Sequence, residues 1–493
     1  MKRLTTLLLA AGLVCSAFSA ANAAEIKAKG MWDFSLEYTD ATFSKSDDSD
    51  RFDALQRLRT QIDVIASESL KGVIFFEIGD THWGNGYDGA SLGTDGRTVE
   101  VRYSYIDWSI PETELLVRMG LQPFVLPGLV AGSAVLDGDG AGITIGGHFT
   151  ENIGGNLFWL RAENDNTRGY RRYDGHIWND DQNNTIDFFG LTLPITFDGA
   201  KIIPWGMYGL VGSRGLAGDA RGDIGDMRHG MLPILPYGTD LAGVEGNRSE
   251  GSAWWVGATG EIMNFGPFRI AGDFNYGNVD MGNVHLGTFT EGHREKGIDL
   301  KRAGWLASLL AEFKFEYGVP GLLLWYGSGD NDNPYDGSER MPTVDASWQG
   351  SSFGFDGGFG ISSDTIIGTS PVGTWGAALR VKDISFIENL THAIQVGYYR
   401  GTNDKEMPQN AGMTTFHTSY ADTTGLVGST YLTTKDGAWE GTFDTQYQLY
   451  KDLTLAVELG YIHLSLNDGV WKDILDGTER NAYKASVNMR YAF

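Results

Sequence analysis

Two stretches of the chain carry residue types that could support catalysis or metal binding. Residues 350–354 read G-S-S-F-G and match the G-x-S-x-G pattern of hydrolases, in which the serine is a nucleophile at a turn between a strand and a helix. Here the pattern lies in a Gly- and Ser-rich stretch, so we expect an ordinary loop. Asp330, Asp332 and Asp336 are spaced somewhat like a calcium loop, but the Gly at position six and the Glu at position twelve are missing. A solvated acidic loop is therefore the preferred interpretation.

No other catalytic or cofactor motif is present in the sequence. The nine His residues form no H-E-x-x-H pair, and no G-x-x-x-x-G-K phosphate loop occurs. We therefore predict a protein that is not an enzyme and that holds no cofactor and no metal ion.

Four arginines could instead act through charge alone. They are Arg57, Arg59, Arg102 and Arg118. Arg57 and Arg59 share the charged side of a stretch whose other side carries Leu58 and Ile62, so both should point the same way. One interpretation is that the arginines simply form ion pairs with Asp63, Glu77 or Glu100 on neighbouring strands, where such pairs contribute little energy.

The last stretch of the chain, 481–493, shows which elements would position these side chains. Its residue types alternate with a period of two. One face carries Tyr483, Ala485, Val487, Met489, Tyr491 and Phe493, and the other carries Ala482, Lys484, Ser486, Asn488, Arg490 and Ala492. At about 3.3 Å per residue and a tilt of about 45°, such a strand spans about 30 Å, the thickness of a bilayer core. Alternation recurs in 26–38, 55–66, 305–317 and 453–461.

The connections between the strands are alternately short and long. Short ones are expected near 68–71, 111–113, 152–155, 194–199, 264–267, 318–321, 382–390 and 451–452, and long ones include 212–251, 277–301, 329–372 and 401–435. Bacterial barrels have short periplasmic turns and long outer loops in this manner. The pattern predicts an all-β transmembrane antiparallel barrel of about 18 strands. Sixteen strands stay possible, because 201–211 and 322–328 lack clear alternation.

Composition agrees with export to an outer membrane. Residues 1–23 combine Lys2 and Arg3, an apolar run and a small-x-small site ending at Ala23, which predicts a cleaved signal peptide. The only cysteine, Cys15, lies in that segment, so a disulfide is not expected. The net charge of −25 argues against nucleic acid as a partner. Residues 24–493 are predicted to form a single barrel domain.

Three phrases carry a resemblance to a known class of protein. They are Q-R-L-R-T-Q-I-D-V at 56–64, R-Y-S-Y-I-D-W at 102–108 and R-M-G-L-Q-P-F at 118–124. With the leader, the alternating strands and the terminal Phe493, they make the chain similar to homotrimeric outer-membrane porins of Gram-negative bacteria, in particular those of sulfate-reducing species. The resemblance covers essentially the whole chain after the leader. The P-E-F-G-G motif of enterobacterial general porins is absent, so the details of their constriction are not transferred.

The resemblance implies a location and a function. The third long connection, 125–140, would fold into the lumen and bring Asp137 and Asp139 toward the arginines. The predicted pore constriction is Arg57, Arg59, Arg102, Arg118, Asp137 and Asp139. Tyr491 and Phe493 would form the signal that the barrel assembly machinery reads. The implied partners are outer-membrane lipid, lipopolysaccharide, two further copies of the chain and small hydrophilic solutes.

Three functions are compared. A porin for passive diffusion of small solutes and ions fits best, because charged side chains around a water-filled passage select solutes by charge and size. A substrate-specific channel, for example for sugars, would use aromatic side chains such as Trp83, Trp178 or Trp348 along its path. An outer-membrane lipid hydrolase is disfavoured, because it would use far fewer strands.

Overall fold

The computed structural model describes residues 24–40, 43, 45, 51–96, 98–164, 170–171, 177–178, 185–212, 216, 225–234, 250–285, 297–361, 365–413 and 430–493. The predicted signal peptide, 1–23, lies outside the described residues. The described residues form one large antiparallel sheet with three short helices and a few two-residue strands. Among the residues that the structure describes, no helix is long and apolar enough to cross a membrane.

Eighteen strands form the wall of the barrel. They are β1 Glu25–Asp40, β2 Arg51–Ser67, β3 Leu70–His82, β4 Glu100–Ser109, β5 Leu115–Val125, β6 Asp137–His148, β7 Gly154–Asn164, β8 Thr185–Thr192, β9 Ala200–Val211, β10 Gly251–Phe265, β11 Phe268–His285, β12 Gly297–Phe313, β13 Val319–Gly327, β14 Thr374–Ile387, β15 Leu390–Gly401, β16 Gly437–Tyr450, β17 Leu453–Ser465 and β18 Asn481–Ala492. A further piece, Ile195–Phe197, continues β8 past Pro194. The prediction of an all-β barrel with about 18 strands is confirmed, and the alternative of sixteen is wrong.

The two segments that lack clear alternation are both wall strands. They became β9 and β13, and each pairs with both of its neighbours in the wall. The expected loop 277–301 is shorter than predicted, because β11 runs on to His285 and β12 begins at Gly297. Strand ends that extend beyond the membrane can be polar and Gly-rich, because they need no apolar face. Such ends lack the alternation of apolar and polar residues from which strands are predicted.

The helices all lie in long connections. They are α1 Gly225–Met231, α2 Met407–Asn410 and α3 Asp468–Trp471, with a 3-10 turn at Lys472–Leu475. Asn467 caps α3, since its side chain accepts hydrogen bonds from the backbone of Gly469 and Val470.

Side chains on the wall alternate between lipid and interior, as the closing strand illustrates. On β18, Val487 and Tyr491 each expose 43% of their surface on the outside, whereas Lys484 and Asn488 are 3% and 2% exposed on the inside. The buried core therefore lies inside the barrel, between the wall and chain segments that enter it. Trp325 of β13 and Tyr399 of β15 meet Trp348 and Phe355 of the β13–β14 connection there.

The first and last strands close the sheet. β1 pairs with both β2 and β18, over Met31–Asp40 on the β18 side. The terminal Phe493 continues this ladder, because its N–H donates to the Gly30 carbonyl at 3.0 Å and its carbonyl accepts a hydrogen bond from the Gly30 N–H at 2.9 Å. Its ring lies 5.6 Å from the Trp32 ring and covers Gly30, where a Cβ would come within 2.8 Å of it. The last residue thus belongs to the seam of the barrel.

Deleting Phe493 should prevent assembly. The deletion removes two seam hydrogen bonds and the ring that packs on Trp32, so we expect processed but unfolded protein in the periplasm. Phe493→Tyr, which keeps an aromatic ring and both backbone groups, is the matched control and should assemble normally. Heat-modifiability on gels and outer-membrane fractionation measure the outcome. Normal amounts of folded deletion variant in the outer membrane would refute the role of this residue.

Candidate channel constriction

The connection between β5 and β6 enters the barrel. Residues 126–136, here called the crossing loop, carry Leu126, Val130, Val135 and Leu136, all at most 5% exposed. Apolar side chains in a connection indicate that it packs against something, and the packing partner here is the interior of the barrel. The expected segment, 125–140, includes this loop together with the adjoining ends of β5 and β6.

The crossing loop reaches the far wall. The backbone N–H groups of Leu129 and Val130 each donate to the carboxylate of Asp273 on β11, at 3.0 Å. Arg269 of β11 donates to the Leu129 carbonyl at 3.0 Å, and Thr259 of β10 donates to Asp273. A loop without a strand partner leaves backbone groups unpaired, and these wall side chains satisfy them.

The crossing loop also pairs with the β13–β14 connection, residues 328–373. Gly132–Ser133 and Ser347–Trp348 form a two-residue antiparallel ladder. The Val344 N–H donates to the Val135 carbonyl at 2.9 Å, and the Gln349 N–H donates to the Ala131 carbonyl at 2.6 Å. Two connections, joined to each other by backbone hydrogen bonds, thus cross the interior together.

The four predicted arginines all have carboxylate partners on the β2–β6 side. Arg59 donates to Glu77 at 2.6 Å, and Arg102 donates to the same Glu77 at 3.4 Å and to Asp139, with its Nε 2.9 Å away. Arg57 lies 3.3 Å from Asp80. This chain of charges joins four strands through Arg59 of β2, Glu77 of β3, Arg102 of β4 and Asp139 of β6.

Arg118 belongs to a separate pair. It forms a bidentate ion pair with Asp107, at 2.7 and 3.0 Å, and its guanidinium lies 4.1 Å from the centre of the Tyr105 ring. Lys71 approaches the same Asp107 at 3.4 Å. The structure therefore brings Arg59, Arg102 and Asp139 together and places Arg118 with a different carboxylate.

A break in the wall explains how Asp139 reaches Arg102. The β4–β5 ladder ends at Ser104–Leu121, whereas the β5–β6 ladder continues to Val125–Asp137. The end of the β5–β6 hairpin, residues 122–125 and 137–140, thus extends past its pairing with β4. Asp139, opposite Pro123 on the hairpin, can then face the arginine of β4.

Asp137 does not join the arginines. Within the described part of the chain, it forms no ion pair with any of the four, and the charges that influence it are those of Asp139 and Asp356. Asp356 belongs to the β13–β14 connection and accepts a hydrogen bond from the Ser347 hydroxyl at 2.5 Å. Burial raises the pKa of Asp356, and the Ser347 hydrogen bond opposes part of that rise. Asp356 thus adds a carboxylate that the sequence did not indicate.

The other sequence motifs have different surroundings. In 350–354 the Ser352 carbonyl accepts a hydrogen bond from Lys484, and no helix follows within 351–361. Asp330 accepts hydrogen bonds from Ser338 and Tyr431, and no group of three or more potential metal ligands occurs among the described residues. Trp348 is buried, and the side chain of Trp178 lies outside the described residues.

Trp83 lies on the outer surface. Its ring is 6.4 Å from that of the outward-facing Phe34, and its indole N–H donates to Gln56 at 3.0 Å. Neither Trp83 nor the buried Trp348 forms part of an aromatic path for sugars.

Comparison with known proteins shows which solved structures have a similar fold. No protein-family model matches the chain, and no curated protein sequence matches it either. Among solved structures, a BenF-like porin from Pseudomonas fluorescens Pf-5 is similar, with a TM-score of 0.51 and 9% identity, over 95% of this chain and 98% of that one. OccAB3 of Acinetobacter baumannii has a TM-score of 0.50 and 10% identity, over 95% of this chain and 99% of that one. The chain thus has the fold of Gram-negative outer-membrane channels.

Removing constriction carboxylates should shift ion selectivity. We predict a mild cation preference for the wild type, because its net charge of −25 outweighs four paired arginines; it should weaken as salt rises. Asp137→Asn plus Asp139→Asn should move the channel toward anions, since Asp139 no longer compensates Arg102. A unit charge about 8 Å from a passing ion in water contributes about 0.5 kcal/mol, so each change should alter the permeability ratio about twofold. The reversal potential in a potassium chloride gradient measures this ratio.

Asp356→Asn provides a second measurement at the same place. The pKa of the wild-type Asp356 carboxyl is raised by burial, so this carboxyl becomes neutral at a higher pH than an ordinary aspartate. Acidification should therefore reduce cation preference in the wild type more than in Asp356→Asn.

Glu112→Gln, in an exposed turn far from the constriction, is the control. An anion preference in the wild type, or an unchanged ratio in the double variant, would show that the constriction lies elsewhere.

Proposed function

We propose that this protein is an outer-membrane channel through which small hydrophilic solutes and ions diffuse passively. The observation that carries the proposal is a closed barrel with charged side chains that stay accessible inside it. The side chains of Arg59, Arg102 and Asp139 keep 23%, 27% and 26% of their surface exposed. Accessible charged side chains of both signs inside a barrel require water there, because removing a charged group from water costs free energy.

The outer surface supports placement in a membrane. A row of aromatic side chains follows the register of the wall from β9 through β18 to β1. Its members are Tyr208, Trp254, Tyr276, Trp305, Tyr326, Trp375, Tyr398, Trp439, Tyr461, Tyr483 and Tyr38. Tyr and Trp side chains favour the level where hydrocarbon meets lipid headgroups.

One observation favours the substrate-specific alternative. Two connections, rather than the single expected one, cross the interior together. A passage narrowed in this way restricts solutes by shape as well as by charge.

We also propose that the channel assembles as a homotrimer through the β2 side of the barrel. The outward positions of β2 include Ala54, Gln56 and Thr60, where lipid contact would favour larger apolar residues. Polar groups that face hydrocarbon are costly, and a neighbouring protomer would cover them.

Liposome swelling tests the proposed function. A general diffusion channel should admit sugars at rates that fall smoothly with solute size, whereas a specific channel should favour one solute and saturate. Purified protein in a planar bilayer should show discrete ion-conducting steps. Protein that is folded by heat-modifiability but yields no steps and no swelling would contradict the proposal.

Cross-linking tests the assembly. Cysteine at Gln56 or Thr60 should give dimer and trimer bands with a short cross-linker that is thiol-reactive at one end and photoreactive at the other, because each single thiol can then be joined to any group of the neighbouring protomer. Cysteine at Leu309, an outward position of β12 that is 43% exposed, is the control and should give none. Monomer bands alone at positions 56 and 60 would count against this interface.

A further inference from the structure

Residues 350–361, here called the strap, lie along the inner wall formed by β15–β18 and β1. Side chains of the wall form hydrogen bonds with the backbone of the strap. Gln395 of β15 donates to the Gly350 carbonyl at 2.9 Å, and Lys484 of β18 donates to the Ser352 carbonyl at 2.9 Å. The Ile361 N–H donates to the Ser35 hydroxyl of β1 at 2.9 Å.

Two wall glutamates hold the strap by its N–H groups. The Gly354 N–H donates to Glu440 of β16 at 2.8 Å. The N–H groups of Phe359 and Gly360 donate to the two oxygens of Glu458 of β17. Hydrogen bonds to a carboxylate are stronger than those between neutral groups. The two glutamates are 2% exposed each, so water does not compete for these bonds.

The two halves of the strap differ in their exposure inside the barrel. Ser351–Phe355 are buried, whereas Gly357 and Gly358 are exposed. The wall lies behind the strap, and the space in front of Gly357 and Gly358 lies inside the barrel, where the proposed function requires water. A strap released from Glu458 would therefore enter the passage.

We propose that Glu440 and Glu458 are positioning residues that keep the strap against the wall, so that the strap acts as a built-in gate whose rest position is open. This inference rests on the proposed channel function. The gate closes when the strap leaves the glutamates and lies across the passage. Lys484 lies 3.2 Å from Glu458 and forms an ion pair with it.

Glu458→Ala should convert a steady open current into one with frequent closures. Loss of two charge-assisted hydrogen bonds should raise the time spent at reduced current on the order of a hundredfold. Glu458→Gln keeps one acceptor oxygen and should give an intermediate effect. Glu316→Ala, which removes an exposed carboxylate in a turn, is the charge-matched control and should behave as the wild type.

A disulfide distinguishes strap movement from a change in lumen charge. A Cβ at Gly360 would lie 2.9 Å from Asn488 Oδ1 and 3.4 Å from its Cγ, so Gly360→Cys with Asn488→Cys can link the strap to β18. In the Glu458→Ala background, oxidation should abolish the closures and reduction should restore them. Closures that persist in the oxidised protein would overturn the gate, as would a Glu458→Ala current indistinguishable from the Glu316→Ala control.

Glu440→Ala keeps the inference testable if Glu458→Ala does not assemble. It removes the Gly354 contact and a hydrogen bond with the Ser351 side chain but leaves the two Glu458 contacts, so it should give a smaller rise in closures, again abolished by the disulfide. A steady current in Glu440→Ala would then overturn the proposal. A wild type that conducts no current would instead refute the proposed function.

Discussion

Backbone hydrogen bonding is the constraint on which this structure depends. In hydrocarbon, an unpaired N–H or carbonyl has no water to bind, so a sheet that crosses a membrane must close on itself. Closure is achieved where β1 meets β18, and the ladder continues to the last residue, Phe493, opposite Gly30. The same requirement applies to the segments inside the barrel. Because they lack a full set of strand partners, their N–H groups bind Asp273, Glu440 and Glu458 on the wall.

Closure also divides the side chains into two environments. The outward face carries apolar and aromatic residues, and the inward face carries ion pairs such as Arg59 with Glu77 and Arg490 with Asp33. Another such pair joins Arg118 of β5 to Asp107 of the adjacent β4. The interior therefore contains several paired charges, and neutralising one carboxylate of such a pair leaves its partner uncompensated and changes the local electric field.

The wall of the barrel was predictable from the sequence, because alternation is a local signal. The faces of β2 and β18 follow directly from the spacing of Arg57, Arg59, Lys484 and Asn488. The contacts of the inserted segments were not predictable, because they join residues far apart in the chain, such as Gly354 with Glu440. Asp356 was missed for the same reason. The partner of Asp139 depends on the early end of the β4–β5 ladder, for which the sequence offers no visible signal.

The paired connections have a mechanical consequence. The crossing loop is fixed to β11 through Asp273, it is bonded to the β13–β14 connection, and that connection is fixed to β16 and β17. The crossing loop and the β13–β14 connection together link distant parts of the wall. A barrel without such a link can flatten under lateral pressure from the bilayer, whereas a barrel whose distant walls are linked resists changes in its cross-section. The cross-section of the wall is thereby held constant while the surrounding lipid changes in thickness or tension.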